Sequence, residues 1–309
     1  MILTVTLNPA LDKTLEVTDN PPLATIRATR VMEMAGGKGI NVARAAVRMG
    51  CEARCLAPLG GRSGQAVADL ANAEGLELLA VELTGNTRSA ITVRDRSSDR
   101  YWHYLEPGPE WSEAETATLR ETFARSIRSA VRAVLSGSLP STGAEETAAW
   151  MVSTAQELKR PIALDSFGPW ALQSLQGGLW LTKPNLEEWV RTTGMAVDTP
   201  AQQRAAVSRM LEWGVGIAVL SAGAAGAWVG CESGVYRVHP PRVTEVNDLG
   251  GGDAMVAGFC VAASRRLGAE DAIRLAAACG AANAEVWDPC GIDATRVDQL
   301  VREVRLERA

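Results

Sequence analysis

The segment with the clearest chemical potential is Asn-Asp-Leu-Gly-Gly-Gly-Asp at residues 247–253, which runs directly into an apolar helical pattern. Its three consecutive glycines leave backbone N–H groups open to a closely approaching anion, and the positive end of the following helix points at the same place. This arrangement suits a phosphate group. The phosphate would repel the carboxylate of Asp253 unless that carboxylate has a task, such as accepting a proton from an attacking hydroxyl. The alternative is a glycine-rich turn whose Asp caps a helix.

A second polar segment, Ala-Gly-Gly-Lys-Gly-Ile-Asn at residues 35–41, precedes a helix predicted over residues 42–49. Glycines, a lysine and an asparagine at the start of a helix indicate a site for an anion or a polyol. The spacing differs from that of a P-loop, so a Walker-type nucleotide site is not supported.

Strand-like and helix-like segments alternate along most of the chain, beginning with a buried strand at residues 2–7. This alternation predicts a parallel sheet with helices on both faces. Polar clusters follow the predicted strands at Asp12 and at residues 136–140, 165–166, 183–188 and 221–226. Because such clusters meet along one edge of the sheet, we expect a ligand site there. Asp12, in the loop after the first strand, would grip sugar hydroxyls, or it is an ordinary solvated loop residue.

Two segments depart from this alternation. Residues 13–34 contain Pro21-Pro22 between strand-like flanks, and residues 87–93 and 99–105 alternate with period two across a polar turn, as in a hairpin. We predict that residues 13–34 and 87–105 form a separate β lid on a core of residues 1–12, 35–86 and 106–309. Arg88 in the lid would reach a substrate phosphate, or it is a surface arginine. Helices are predicted over residues 253–266, 269–287 and 294–305.

Bulk properties narrow the class of protein. The 309 residues carry a formal net charge of -5 with both signs interspersed, so a basic surface for nucleic acid or an anionic membrane is not expected. The six cysteines are scattered without a C-x-x-C pair, which favours buried thiols in a reducing cytoplasm over disulfides or a metal site. Neither a signal peptide nor an apolar run long enough to span a membrane is evident.

Over nearly its whole length the chain resembles the ribokinase-like sugar kinases of the phosphofructokinase B family. The resemblance is carried by GGKGIN at residues 36–41 and by residues 247–253, together with matches at residues 6–12, 136–140, 183–188 and 221–226 in the family's order. It implies an α/β fold, a three-layer αβα sandwich with a mostly parallel central sheet and a small β-sheet lid. It also implies an ATP-dependent kinase that requires Mg²⁺.

Within that family, the sequences TLNPALD, AGGKGINVAR, SGSLP and EPGP are most similar to the branch that phosphorylates phosphorylated ketohexoses. EPGP after the lid hairpin favours a 1-phosphofructokinase, which converts fructose 1-phosphate to fructose 1,6-bisphosphate. A 6-phosphofructokinase and a tagatose-6-phosphate kinase are the alternatives. An alternative of another class is a catalytically silent sugar-phosphate sensor, for which Asp248 is the motivation, since its negative charge lies near the expected phosphates. A Rossmann dehydrogenase is not supported, because no G-x-G-x-x-G follows the first strand.

The resemblance also implies a role for each matched residue. Asp253 would be the catalytic base, and the amides of Gly250, Gly251 and Gly252 would hold the transferring phosphoryl group. Substrate would be oriented by Asp12, Gly37 and Asn41, and its existing phosphate would be held by Lys38, Arg88 and Ser138. Lys183, Asn185 and Glu188 would face the nucleotide phosphates, Glu188 contacting Mg²⁺ through water. The ATP site would be lined by Ser221, Gly223 and Gly226, with Asn283 near the adenine.

Several residues depart from the family pattern. The family usually carries Ala or Ser at the position of Gly251, and Trp287-Asp288-Pro289 is unusual where many relatives help to hold a monovalent cation, so a K⁺ requirement stays open. The apolar side chains of Ile91, Trp102 and Tyr104 on the lid hairpin would suit a homodimer interface, or they pack within the chain.

Overall fold

A ten-stranded sheet forms the centre of the computed structural model, which describes residues 1–21, 24–98, 100–140, 143–247 and 249–309. The strands lie in the order β14 (Arg305–Arg308), β13 (Gly234–His239), β12 (Ala227–Cys231), β11 (Ile217–Ser221), β10 (Leu181–Thr182), β9 (Ile162–Asp165), β8 (Arg132–Ser136), β1 (Ile2–Val5), β4 (Ala53–Gly60) and β5 (Glu77–Leu83). Neighbours from β11 to β5 are parallel, whereas β12, β13 and β14 add antiparallel pairs.

Helices cover both faces of this sheet, which confirms the predicted three-layer αβα sandwich. One layer contains α1 (Lys38–Arg48), α2 (Gly61–Ala73), α8 (Gly251–Ser264), α9 (Ala269–Ala284) and α10 (Ala294–Val301). The other contains α3 (Glu113–Ile127), α4 (Ala144–Glu157), α5 (Pro169–Leu175), α6 (Leu186–Thr193) and α7 (Pro200–Glu212). Each helix layer encloses a hydrophobic core with one face of the sheet, the first core on the side of α1 and the second on the side of α3. Successive strand residues point to opposite faces, so Ile2 packs in the first core and Leu3 in the second.

A second, smaller sheet contains four strands in the order β3 (Arg30–Gly36), β2 (Ala10–Val17), β6 (Arg88–Asp95) and β7 (Arg100–Leu105). β2 pairs in parallel with β6, and the two outer pairs are antiparallel. This sheet begins at Ala10 and includes Gly36, so it extends beyond the predicted limits of 13–34. Asp12 therefore lies within strand β2 and not in a loop after β1, because the new strand starts directly after the bend at Asn8-Pro9.

The end of the chain also differs from the prediction. Helix α9 ends at Ala284 and α10 ends at Val301, and the last residues form strand β14, which pairs with β13. The helix predicted up to residue 305 ends early because the following residues pair with β13, and Leu306 packs against the first core from this edge strand. Such pairing depends on the partner strand and not on local sequence. Among the described residues, no helix combines the length and apolar character needed to cross a membrane.

Candidate active site

The glycine segment before α8 forms a turn whose backbone is fixed at several points. Gly250 is the N-terminal cap of α8 and adopts a left-handed conformation with φ 85°, which a glycine accommodates without a steric penalty. The side-chain oxygen of Asn247 accepts a hydrogen bond of 3.0 Å from the backbone of Leu249. Asp248, on which the sensor hypothesis rests, lies outside the described residues. The first N–H groups of α8 have no acceptor within the helix, so this end of α8 offers donors and a positive dipole end to an anion.

Lys183 contributes a positive charge to this cradle. A Cβ atom added to Gly252 would lie 2.7 Å from Nζ of Lys183, so the ammonium occupies the space that a side chain at residue 252 would need. A Cβ atom at Gly251 would instead meet its nearest neighbours at 3.7 Å, an ordinary contact distance. Residue 251 therefore has room for the Ala or Ser that the family usually carries, so packing does not require a glycine there.

Asp253 is buried in the first turn of α8 and is held by Asn41 of α1. Nδ2 of Asn41 donates a hydrogen bond of 2.8 Å to Oδ2 of Asp253. Burial raises the pKa of Asp253 to about 6, against the opposing effects of Lys38 and the Asn41 hydrogen bond. A carboxyl group with that pKa is mostly ionised at neutral pH and retains some basicity, which suits a general base.

Charged side chains surround the space between α1 and the cradle. Nζ of Lys38 lies 2.8 Å from Oε1 of Glu188 and 3.6 Å from Oδ2 of Asp165, while Nζ of Lys183 lies 3.6 Å from the other oxygen of Asp165. Burial alone would raise the pKa of Asp165, but Lys183 and Lys38 outweigh it and hold that pKa below the usual value. Lys38 keeps its charge, because Asp165, Glu188 and Asp253 outweigh the effect of burial and raise its pKa.

Asn185 and Glu188 form a capping box at the start of α6. Oδ1 of Asn185 accepts a hydrogen bond of 2.8 Å from the backbone of Glu188, and Oε2 of Glu188 accepts one of 3.0 Å from the backbone of Asn185. Both oxygens of Glu188 are therefore occupied, one by Lys38 and one by this cap. Such a carboxylate fits a contact to a metal through water better than a direct bond.

The acidic residues fit a magnesium ion that is held mainly by phosphates and water. Among the described residues, no group of three or more His, Cys, Asp or Glu side chains is placed to hold a metal ion on its own. Mg²⁺ commonly keeps several water ligands and binds through one or two carboxylates together with substrate phosphates. Glu188, whose other oxygen faces Lys38, is consistent with that mode.

The predicted ATP segment forms a tight turn after β11. Ser221 pairs with the start of α6 through a bridge to Asn185, and Gly223 and Gly226 adopt positive φ angles of 55° and 90°. A Cβ atom at Gly226 would lie 2.2 Å from the carbonyl oxygen of Val238, whereas one at Gly223 would meet no atom within 4 Å. Gly226 is thus required by close packing, and the open side of the turn lies at Gly223.

Asp12 and Gly37, two of the predicted substrate residues, lie where the small sheet leads into helix α1. The carboxylate of Asp12 covers Gly36, where an added Cβ atom would lie 2.1 Å from Cγ of Asp12. Burial raises the pKa of Asp12 to about 6, although Arg88 and Arg44 oppose the shift. At the next residue, Gly37, the positive φ of 116° begins helix α1.

Arg88 and Ser138 are joined through Asn8. Nε and Nη2 of Arg88 donate to the carbonyl oxygen of Asn8 at 3.3 and 3.2 Å, and Nδ2 of Asn8 donates to Oγ of Ser138 at 3.3 Å. Gly108 of the EPGP segment makes room for Asn8, since an added Cβ atom would lie 2.3 Å from Oδ1 of Asn8. Of the three residues predicted to hold a substrate phosphate, Arg88 and Ser138 therefore form one group. The third, Lys38, faces Glu188 and Asp165.

Asn283, which the family resemblance places near the adenine, is anchored at both ends of its side-chain amide. It is buried, its Nδ2 donates to the carbonyl oxygen of Leu249 at 2.8 Å, and its Oδ1 accepts from the backbone of Cys290 at 2.7 Å. Both ends of the amide are thus used to join the cradle to the segment after α9.

Two residues with a place in this site, Asn8 and Arg44, were not singled out from the sequence. Asn8 gave a weak signal as part of TLNPALD. Arg44 gives none, because no motif marks it and two of its partners, Glu74 and Pro289, lie in other segments of the chain. Asp165 was noted only as a polar residue after a strand.

The fold and the site together define a doubly wound α/β phosphotransferase, with an anion cradle at a helix start, a buried carboxylate and two nearby lysines. The model of the pfkB family carbohydrate kinases matches residues 5–289, and the chain belongs to that family.

Several characterised relatives match almost the whole chain. It is 30% identical over 282 residues to the ATP-dependent 6-phosphofructokinase isozyme 2 of Mycobacterium tuberculosis, covering 91% of this chain and 83% of that protein. It is also 30% identical over 308 residues to the 1-phosphofructokinase of Bacillus subtilis, covering 100% of both. The crystal structure of Escherichia coli phosphofructokinase-2 in complex with potassium superposes with a TM-score of 0.91 at 27% identity, covering 98% of each chain. The protein is therefore an ATP-dependent sugar kinase of the phosphofructokinase type.

Proposed function

We propose that the acceptor is a phosphorylated ketohexose, most favourably fructose 1-phosphate, which is converted to fructose 1,6-bisphosphate. The observation that carries this proposal is a second basic and polar site, formed by Arg88, Asn8 and Ser138, beside Asp12 and separate from the cradle at Gly250. A guanidinium and a hydroxyl suit a substrate phosphate. Fructose 6-phosphate and tagatose 6-phosphate present the same chemical groups and are the alternatives.

In the proposed reaction, Asp253 accepts the proton of the acceptor hydroxyl as its oxygen forms a bond to the γ-phosphorus of ATP. The bond between that phosphorus and the bridging oxygen breaks, and ADP leaves. The amides of Gly250, Gly251 and Gly252 hold the transferring group, while Asp12, Gly37 and Asn41 orient the sugar. Because proton transfer can lag behind cleavage in a loose transition state, a base with a pKa of about 6 suffices.

Nucleotide binding is proposed to involve the ends of β10 and β11. Lys183 and Asn185 face the nucleotide phosphates, and the turn at Ser221, Gly223 and Gly226 lies against the nucleotide. Lys38 is proposed to hold the existing phosphate of the sugar together with Arg88 and Ser138. Mg²⁺, when bound, neutralises charge on the phosphates, and Glu188 would contact it through water. We include K⁺ as a possible further cofactor, on the strength of the potassium complex of the Escherichia coli relative.

We also propose that the small sheet acts as a lid. One of its contacts with the larger domain is at Trp287, where the guanidinium carbons of Arg30 and Arg94 lie 4.5 and 5.4 Å from the centre of the ring. Oη of Tyr101 lies 3.5 Å from the carbonyl oxygen of Val246, just before the cradle. Cation–π contacts at partly exposed sites contribute about 0.5–1 kcal/mol each, weak enough for the sheet to open and strong enough to favour closure.

A homodimer through the lid and a cytoplasmic location complete the proposal. Val31, Tyr104 and Leu105 on the two edge strands of the small sheet are 53%, 58% and 67% exposed, which supports an interface there. All six cysteines are free thiols, five of them buried, which suits a reducing compartment.

The decisive experiment is a coupled assay of ADP release with fructose 1-phosphate, fructose 6-phosphate, tagatose 6-phosphate, fructose and tagatose. We expect fructose 1-phosphate to give the highest kcat/KM and the free sugars to be at least about 100-fold poorer, since they lack the charge-assisted contacts. Arg88→Met should raise the KM for the sugar phosphate and leave the KM for ATP unchanged. The matched control, Arg204→Met on the exposed surface of α7, should change neither. Equal activity on free and phosphorylated sugars would refute the proposed acceptor.

A further inference from the structure

Arg44 is a buried cation, with 2% of its surface exposed. Its guanidinium pairs with Glu74, the C-terminal cap of α2, and Nη2 donates a hydrogen bond of 2.6 Å to the carbonyl oxygen of Ala35 in β3. Nη1 donates to the carbonyl oxygen of Pro289 at 3.3 Å. One side chain therefore joins α1, α2, the small sheet and the segment that supports the cradle.

The remaining hydrogen bond of Arg44 determines which way the Asn41 amide faces. Nη1 of Arg44 donates a hydrogen bond of 2.7 Å to Oδ1 of Asn41. Because a guanidinium is only a donor, Asn41 must turn its oxygen towards Arg44 and its NH₂ group towards Asp253. With the amide reversed, two donors would face each other at Arg44, and an oxygen would face the carboxylate of Asp253.

We infer that Arg44 is a positioning residue for phosphoryl transfer: it fixes the orientation of Asn41 so that the NH₂ group of Asn41 is always presented to Asp253. This inference rests on the proposed role of Asp253 as the base. The relay runs from Glu74 through Arg44 and Asn41 to Asp253, and each of its members is at least partly buried, so water competes weakly for these hydrogen bonds.

Other charges also act on Asp253 and stay in place when Arg44 is changed. Lys38 of α1 and Lys183 after β10 favour its ionised form, whereas Asp165 at the end of β9 disfavours it. The buried thiol of Cys290 also lies near Asp253. A change confined to the Asn41 hydrogen bond should therefore shift the titration of Asp253 moderately and upward, since that bond lowers the pKa of Asp253.

The variant that tests the relay is Arg44→Lys, which keeps a positive charge but lacks the planar fork that bonds Asn41, Ala35 and Glu74 together. We expect kcat to fall about 10–100-fold with little change in the KM for ATP, because one well-placed hydrogen bond to a catalytic group is lost. Arg48→Met, one turn further along α1 and exposed, is the control and should leave kcat unchanged. Thermal melting separates a folding defect from this effect.

A double-mutant cycle shows whether Arg44 acts through Asn41. In an Asn41→Ala background, Arg44→Lys should have no further effect on kcat, because the relay is already broken. A full additional loss in the double variant would overturn the inference. If Arg44→Lys fails to fold, Glu74→Gln, which loosens the guanidinium from the other side, replaces it in the same cycle.

A measurement independent of activity separates this inference from the proposed function. A ¹³C NMR titration of protein labelled at the aspartate carboxyl carbons, with Asp253→Asn used to assign the signal, reports the protonation of Asp253 directly. We expect its midpoint to move to higher pH in Arg44→Lys and to stay in place in Arg48→Met. An unchanged midpoint in Arg44→Lys would overturn the inference, even for a protein that phosphorylates none of the five sugars.

Discussion

The ammonium of Lys183 lies where a side chain at Gly252 would begin, with Nζ 2.7 Å from the position of an added Cβ atom. The cradle is therefore built from two distant segments, a glycine run at the start of α8 and a lysine after β10. Neither segment alone places a positive charge behind the amides. Because the close approach depends on a missing side chain, it is directly testable by adding one methyl group.

Gly252→Ala should displace Lys183 from the cradle, whereas Gly251→Ala has room for its methyl group. We expect Gly252→Ala to lower kcat/KM for ATP about 10-fold or more, because the charged contact of Lys183 is misplaced. Gly251→Ala is the matched control and should keep activity and raise the melting temperature slightly, since Ala favours the helix over Gly. Steady-state kinetics and thermal melts of both variants check this. Equal behaviour of the two would contradict the proposed packing of Lys183.

Replacing Asp253 should impair catalysis and leave substrate binding intact. Asp253→Asn should lower kcat by several orders of magnitude and leave sugar-phosphate binding, measured by calorimetry, largely intact. In the wild type, kcat/KM should fall as the pH drops through about 6, the pKa to which burial raises Asp253 in the free enzyme. A variant that retained near-normal turnover would remove Asp253 as the base.

The same pKa gives a stability prediction with a definite sign. The pKa of Asp253 is raised from 3.8 to about 6 in the folded protein, so ionisation of this carboxyl group destabilises the native state. The stability that the protonated group contributes is therefore lost as the pH rises through about 6. Asp253→Asn should therefore increase the free energy of unfolding at pH 7.5, by at most about 3 kcal/mol. The gain should vanish below pH 4. Denaturant unfolding at the two pH values measures it, and a loss of stability at pH 7.5 would contradict it.

The capping box of α6 should affect both stability and metal dependence. Asn185→Ala removes the side-chain oxygen that accepts from the backbone N–H of Glu188, and it keeps the backbone N–H that donates to Oε2 of Glu188. Because the first turn that carries Glu188 loses its cap, we expect a loss of about 1 kcal/mol in unfolding free energy and a changed Mg²⁺ concentration for half-maximal activity. Thr199→Ala removes the equivalent capping box of α7, which carries no predicted site residue. This control should cost similar stability and leave the Mg²⁺ dependence as it was. The same Mg²⁺ curve in all three proteins would argue against Glu188 as the metal-side residue.

The lid should protect the phosphoryl group from water. Trp287→Leu removes the ring that Arg30 and Arg94 cover, so we expect ADP release without sugar to increase relative to phosphoryl transfer. Trp287→Phe keeps a weaker aromatic face and should lie between the wild type and Trp287→Leu. A coupled assay with and without sugar phosphate gives this ratio directly. The same ratio in all three proteins would mean that the Trp287 contact does not control closure.

Much of the architecture follows from local sequence. The alternation of apolar and helical segments predicted a mostly parallel sheet between helices, and the glycine runs predicted the turns at Gly37 and Gly250, because only a glycine accepts such φ angles without strain. The last predicted helix runs to residue 305, and no strand is predicted after it, whereas Arg305–Arg308 form the edge strand β14. A short run such as Leu306 and its neighbours has no periodicity that distinguishes the two states, and its pairing with β13 decided the outcome.

The sequence by itself determined the family, the fold class and the residues that the family resemblance names, because each of these is written in short segments with characteristic spacing. Only the tertiary structure decided which atoms meet: the Asn41 amide on Asp253, Lys183 behind Gly252, and Arg44 joining four elements. These contacts link residues up to about 250 positions apart along the chain. They depend on burial and side-chain orientation, which local patterns do not encode.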